Sequence, residues 1–243
     1  MPLYRDQAIV LRTHKLGEAD RIITMLTRER GKVRAVAKGV RRTSSKFGAR
    51  LEPFMHVDIQ LNEGRSLDMV TQVETVGAYA RNLCQDYGKY TSATAMLEAA
   101  DRLVSAENEP MIQQFWLLAG GLRTMAADQQ PTSLILDSYL LRAFALAGYA
   151  PTFTNCAQCG APGPHRSFSV AQGGAVCAQC RQPGASAPAP QTFDLLAALL
   201  VGDWDGAAQA DQRTRDETST LVASFSQYHL EHSLRSLKMV DRS

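Results

Sequence analysis

Four of the five cysteines stand as two pairs, Cys156-Ala-Gln-Cys159 and Cys177-Ala-Gln-Cys180, with seventeen residues between them. Two residues between cysteines let one tight turn present two thiolates to one ion. Two such turns supply the four tetrahedral sulfur ligands of a structural Zn²⁺ site. Gly160, directly after the first pair, permits the positive φ with which the chain folds back. The stretch between the pairs holds Pro162, Pro164, Gly173 and Gly174 around one short apolar segment, Phe168-Ser169-Val170. It cannot build a core of its own, so a metal must hold it. The spacing predicts one structural zinc ion on Cys156, Cys159, Cys177 and Cys180. Three other chemistries compete. Disulfides need an oxidising compartment. A thioredoxin-like site needs one pair in a βαβ setting. A catalytic zinc keeps an open position, and four thiolates leave none. Cys84, left over, reads as a small buried residue.

Other chemistry is sparse. The sequence contains no GxxxxGKS/T phosphate loop, GxGxxG, HExxH or GxSxG. His229 and His232 lie three apart at helical spacing, but with no third ligand nearby they read as an exposed pair. His165 falls inside the cysteine loop and can contact the site; His14 and His56 have no partner legible in the sequence. Glu98 and Asp101 share a helical face and read as solvated acids.

Charge divides the chain. Residues 1–80 carry 14 Lys/Arg against 9 Asp/Glu, and residues 81–243 carry 12 against 15. From Arg28 to Arg50, nine basic residues meet the single acid Glu29. Such a split predicts a basic module that meets a polyanion and a second module with another job, against the plainer reading of a solvated charged face. No apolar run approaches the roughly 18 residues of a membrane span. The polar N-terminus, MPLYRDQAIVLR, lacks the apolar stretch and cleavage site of a signal peptide. The expectation is a cytoplasmic protein with reduced thiols and no membrane partner.

The elements that must position these residues change period once. Tyr4–His14, Arg21–Thr27, Lys32–Lys38 and Met55–Leu61 read as strands, and Leu67-Asp68-Met69 begins a fifth after the turn signal Asn62-Glu63-Gly64. Five short strands in about 75 residues fit a small closed barrel, and the OB-fold is the commonest; spacing alone does not separate it from an SH3-like barrel. Gly39 to Gly48 reads as a mobile cationic loop. From about Asn82 the period is helical, through Met96 and Leu103, Ile112 to Leu122, Leu136 to Ala147, Leu195 to Leu200, and Leu221 towards Leu237. Pro110 and Pro131 fit first turns of helices. The helical run is interrupted from Pro151 to Pro190, and the end of that interruption, Gln182 to Pro190, reads as an extended flexible linker. The fold class expected is α+β multidomain: residues 1–79 as a small five-stranded barrel, and residues 80–243 as an all-α bundle with a four-cysteine zinc loop inserted at 151–185.

The run Arg5-Asp-Gln-Ala-Ile-Val-Leu-Arg12, then Gly17-Glu-Ala-Asp-Arg21, Leu26-Thr27, Gly31-Lys32, Ala35-Val-Ala-Lys-Gly39 and Gly48-Ala-Arg-Leu-Glu-Pro-Phe54, resembles the bacterial recombination mediators of the RecO family. The resemblance spans essentially the whole chain and is densest up to Phe54. It implies a non-enzymatic protein whose OB-fold binds single- and double-stranded DNA and anneals complementary strands. It implies action with RecR, and with RecF at some substrates, to load RecA onto strands covered by SSB. The helical domain would receive the SSB C-terminal tail. On this reading the candidate DNA contacts are Lys32, Arg34, Lys38, Arg41, Arg42, Lys46 and Arg50, with Arg12 and Arg21 beside them. Residues 1–80 contain only four aromatics, Tyr4, Phe47, Phe54 and Tyr79. Base stacking can therefore add little, and phosphate contacts must dominate. The alternatives from other classes are a metal-dependent nucleic-acid enzyme, which needs clustered carboxylates near the barrel, and a zinc-loop transcription regulator, which would prefer one duplex sequence.

Overall fold

A computed structural model describes residues 2–104, 109–230, 234 and 236–240. The chain divides into two compact units, Met1–Gln129 and Gln130–Ser243. The first helices after the barrel, up to Ala126, thus pack in the same unit as the strands.

In the first unit, strands β1 (Leu3–Leu16), β2 (Asp20–Thr27), β3 (Gly31–Ala37), β4 (Met55–Asn62) and β5 (Asp68–Ala78) form a barrel closed in the order β1-β2-β3-β5-β4. Four of the five junctions are antiparallel; β3 and β5 meet in parallel, Ala35 opposite Asp68 and Val36 opposite Met69. This closure is that of the OB-fold and removes the SH3-like alternative. Alternation dictates the interior: Ala8 and Val10 of β1, Ile23 and Met25 of β2, Val33, Ala35 and Ala37 of β3, and Val57, Ile59 and Leu61 of β4 pack together and are nearly inaccessible. A bulge between Val10 and Arg12 shifts the register of β1 against β2, so that Arg12 lies opposite Thr24.

Helices α1 (Ala80–Leu83), α2 (Tyr87–Leu103) and α3 (Ile112–Ala126) follow. Asp86 starts α2 by accepting a hydrogen bond from the Lys89 backbone N–H at 2.8 Å. Helix α2 packs on β1. Ile9 and Leu26, paired across β1 and β2 outside the interior set, are fully buried. The rings of His56 and Phe115 meet edge-to-face at 5.5 Å, and those of Phe54 and Tyr90 at 5.8 Å.

The second unit is built on α4 (Thr132–Leu146), α5 (Pro190–Val201), the short α6 (Trp204–Ala208) and α7 (Gln212–His229). Phe144 of α4 meets Phe225 of α7 edge-to-face at 5.7 Å, and Ser138 donates to the Leu199 carbonyl at 2.8 Å. Glu217 of α7 accepts from the Ala189 backbone N–H at 3.0 Å and from the Thr192 hydroxyl, which fixes the start of α5. The cysteine loop lies between α4 and α5 and carries a two-stranded sheet, β6 (Ser167–Ser169) and β7 (Gly174–Val176).

The structure departs from the sequence expectations at several points. Gln182 to Pro190 is not a free linker: Ser186 exchanges backbone hydrogen bonds with Phe168 at 2.9 Å each way, and Pro190 opens α5. The last long helix ends at His229, and Leu237 sits instead in a 3-10 turn, Ser236–Lys238. Pro110 and Pro131 fall just outside α3 and α4. Cys84 is exposed, because α1 is a single turn that buries only Leu83 and ends at Cys84. Among the described residues, no helix is long and apolar enough to cross a membrane.

Candidate nucleic-acid surface and metal centre

The cationic surface is built on β2, β3 and the loop that follows. Because Val33, Ala35 and Ala37 must face the core, Arg34 and Lys38 face outward and are exposed. Arg34 lies opposite Thr24, which lies opposite Arg12, so one outward row crosses three strands. The loop from Gly39 is tied down rather than loose. Asp20 accepts from the Gly39 N–H at 2.7 Å, and the Arg41 N–H donates to the Ala19 carbonyl at 3.0 Å. The Arg41 guanidinium reaches the Glu18 carbonyl at 2.8 Å. At its far end the Lys46 ammonium donates to the Thr71 carbonyl at 3.0 Å, and Arg50 donates to the Lys46 carbonyl at 2.9 Å. Phe47 and Leu51, with 2% and 1% of their surface exposed, plug the barrel core from this loop. Arg41, Lys46 and Arg50 therefore spend donors on neutral carbonyls and keep their charge. Among the described residues, Arg34, Lys38, Arg41, Arg42, Lys46 and Arg50 pair with no acid.

The three remaining candidates are engaged. Arg21 pairs with Glu52 at 2.6 Å. Arg12 and Lys32 both pair with Asp101 of α2, at 3.0 and 3.4 Å, and the Lys32 ammonium also donates to the Asp101 backbone carbonyl at 2.7 Å. One exposed cation of the same region is not among those singled out from the sequence: Lys15, opposite Arg21 at the tip of the β1–β2 hairpin. Its isolation from the Arg28–Arg50 run hides it.

All four aromatics of the barrel are occupied. Phe47 and Phe54 are buried, the Tyr4 hydroxyl donates to Asp68 while Arg30 lies over its ring at 3.9 Å, and Tyr79 packs beside His56. The acids Glu98 and Asp101 are engaged by cations, Glu98 by Arg102 at 2.9 Å.

In the cysteine loop, turns bring all four thiols together: the Sγ atoms of Cys156, Cys159, Cys177 and Cys180 lie within 4.8 Å of one another. Gly160 takes φ +72° and its N–H donates to the Cys156 carbonyl at 2.8 Å, closing the first turn. The second closes through Cys180 and Arg181 N–H donors to the Cys177 carbonyl. The Cys159 and Cys177 sulfurs are 3.8 Å apart. That is far beyond the roughly 2.05 Å of a disulfide. It matches the spacing of about 3.8 Å for sulfurs held tetrahedrally at about 2.3 Å from one ion. The Cys177 N–H points at the Cys156 sulfur at 3.4 Å. Backbone donors of Cys177 and Cys159 hold the Cys156 thiol down to about 6, whereas hydrogen bonds with the Cys177 and Cys159 side chains push Cys180 up to about 12. Cys156 is thus favoured as a thiolate while Cys180 resists losing its proton beside its neighbours, and a dication among the four sulfurs would relieve that opposition. Among the described residues this is the one His/Cys/Asp/Glu group whose ligand atoms converge as a metal needs.

The histidines stand apart. His165 bonds to the Ala161 carbonyl at 2.9 Å, the same oxygen that accepts from the Cys156 N–H at 2.8 Å, so it braces the first turn without joining the sulfurs. His229 is packed against Phe225 at 4.3 Å and Tyr149 at 5.0 Å, and burial lowers its pKa. It is therefore not the exposed residue expected, and His232 lies outside the described residues.

Fold and sites together define an OB-fold protein with a cationic barrel face and a helical unit bearing a four-cysteine loop with the ligand set of a metal site. The chain belongs to the recombination protein O family: the family's sequence model Recombination protein O N terminal matches residues 1–79, and Recombination protein O C terminal matches residues 84–238. Similar proteins include the "DNA repair protein RecO" of Nocardioides sp. (strain ATCC BAA-499 / JS614), 59% identical over 243 residues, 99% of this chain and 100% of that one. Those of Thermobifida fusca (strain YX) and Streptomyces coelicolor (strain ATCC BAA-471 / A3(2) / M145) are 56% and 55% identical, each pair covered in full.

Proposed function

We propose that the chain is a DNA-binding mediator of recombinational repair that carries out no chemical step of its own. The barrel binds single- and double-stranded DNA through phosphates, anneals complementary strands, and acts with RecR, and at some substrates RecF, in loading RecA onto strands coated with SSB. The observation that carries this reading is the set Arg34, Lys38, Arg41, Arg42, Lys46 and Arg50: exposed, unpaired with acids among the described residues, and on one strand and its loop. Strands repel each other through their phosphates, and a surface that neutralises both lowers the cost of bringing them together. With every barrel aromatic occupied, base stacking contributes little, and sequences bind alike.

The four cysteines would hold one zinc ion with no open position, so its part is to keep the loop folded. The helical unit would serve as the dock for the SSB C-terminal tail. The protein works in the cytoplasm at the nucleoid, where such thiolates stay reduced.

The test is fluorescence anisotropy with labelled oligonucleotides of several sequences, single- and double-stranded, joined to a strand-annealing assay. Binding that varies little with sequence, with faster annealing, is expected. Strong preference for one duplex would favour a sequence-specific regulator, and cleavage with Mg²⁺ or Mn²⁺ would favour an enzyme. A pull-down against SSB with and without its C-terminal tail tests the dock.

A further inference from the structure

We infer that Asp101 is an internal substitute for a phosphate, which holds Arg12 and Lys32 out of the DNA-binding set and so fixes where the cationic track on the barrel ends. This rests on the proposed phosphate-binding surface. Arg12 lies in the same outward row as Arg34, two strands away. By position and type it belongs to the track. Its guanidinium is nonetheless paired, at 3.0 Å, with Asp101 Oδ2, while Lys32 takes Oδ1 at 3.4 Å. The two carboxylate oxygens thus face two cations, as two oxygens of a phosphate would.

The two cations are held differently. The Lys32 side chain is 14% exposed, and its ammonium also donates to the Asp101 carbonyl, one of the last carbonyls of α2. It completes the helix end and stays there whatever happens to the carboxylate. The Arg12 side chain is 49% exposed, and its other contact is a weak one to the His14 ring at 3.4 Å. Removing the charge of Asp101 therefore releases Arg12 to a phosphate. The acid lowers affinity and confines the strand to Arg34, Lys38 and the loop.

The experiment measures the log–log salt slope of single-strand binding for the full chain, Arg12→Ala, Arg34→Ala, Asp101→Asn and the Arg12→Ala/Asp101→Asn double variant. Each phosphate contact adds about 0.7 to the slope. Arg34→Ala should become shallower by about 0.7, whereas Arg12→Ala alone should match the parent. Asp101→Asn should become steeper by about 0.7, and the double variant should return to the parent slope. If Arg12→Ala is as shallow as Arg34→Ala, or a folded Asp101→Asn keeps the parent slope, the inference is overturned while the phosphate-binding reading stands. Parent protein that shows no salt-dependent binding overturns both. Should Asp101→Asn not fold, the comparison of Arg12→Ala with Arg34→Ala decides alone.

Discussion

The Arg41 guanidinium donates to the Glu18 carbonyl at 2.8 Å, which binds the loop after β3 to the β1–β2 hairpin. Arg41, one of the proposed phosphate contacts, is thus also a fastener, and its charge remains available because a carbonyl does not neutralise it. Replacing Arg41, Arg42 and Lys46 together by alanine removes three cations. The salt slope on single strands should become shallower by about 2, equally for all sequences. The loss of two fasteners should cost no more than about 2 kcal/mol, read by urea unfolding. A loss confined to one sequence would mean that bases are read.

The loop depends on its plug more than on its fasteners. Phe47 is 2% exposed in the barrel core. Phe47→Ala should cost about 3–5 kcal/mol and weaken DNA binding although no charge is lost. Equal stability to the parent would show that the ring does not anchor the loop.

The metal should stabilise one loop and leave the barrel alone. Chelation, or Cys177→Ser, should expose the 151–185 segment to protease while single-strand affinity changes by less than about threefold. The ligands must be deprotonated, so metal is held at neutral pH and lost as pH falls and the thiolates take up protons. Metal content after dialysis at about pH 8 and about pH 5 checks the sign. Affinity that fell in step with metal loss would place the ion in the DNA site.

Two glycines separate strain from crowding. Gly31 has φ +62°, and a Cβ there would stand 2.0 Å from the Glu109 carbonyl oxygen; Gly17 has φ +58° with nothing within 4 Å. Gly17→Ala should cost about 1–2 kcal/mol for the left-handed backbone alone. Gly31→Ala should cost clearly more, because the chain after α2 must also move. Equal unfolding midpoints would contradict the contact.

His56 is buried against Phe115, and burial holds its imidazole below the usual pKa. The unfolded chain then takes up a proton that the folded one refuses. Stability is complete above the unfolded pKa of about 6.5 and declines as pH falls from there towards the folded pKa. His56→Phe should reduce the drop in unfolding midpoint between about pH 7 and about pH 5. An unchanged drop would assign it to other groups.

Much of this is legible in the sequence because it is local. Alternation at Val33, Ala35 and Ala37 defines β3 and turns Arg34 and Lys38 outward, and the Cys-x-x-Cys spacing brings the four sulfurs together. What is not legible depends on chain segments far apart. Nothing near Lys32 or Arg12 announces Asp101, some seventy to ninety residues on. Cys84 departs from its expected burial because one helical turn leaves no buried face for it. The Gln182–Pro190 segment has a linker's composition, yet Ser186 pairs with Phe168 through the backbone, a bond that composition does not record.

On the proposed reading, backbone phosphates are gripped by charge and bases are barely touched. Titration of a labelled single strand at a series of salt concentrations separates grip by charge from contact with bases. With about five phosphates neutralised, the log–log slope should be about −3.5, so a fourfold rise in salt costs about a hundredfold in affinity. A slope near zero, or no binding in dilute buffer, would contradict it.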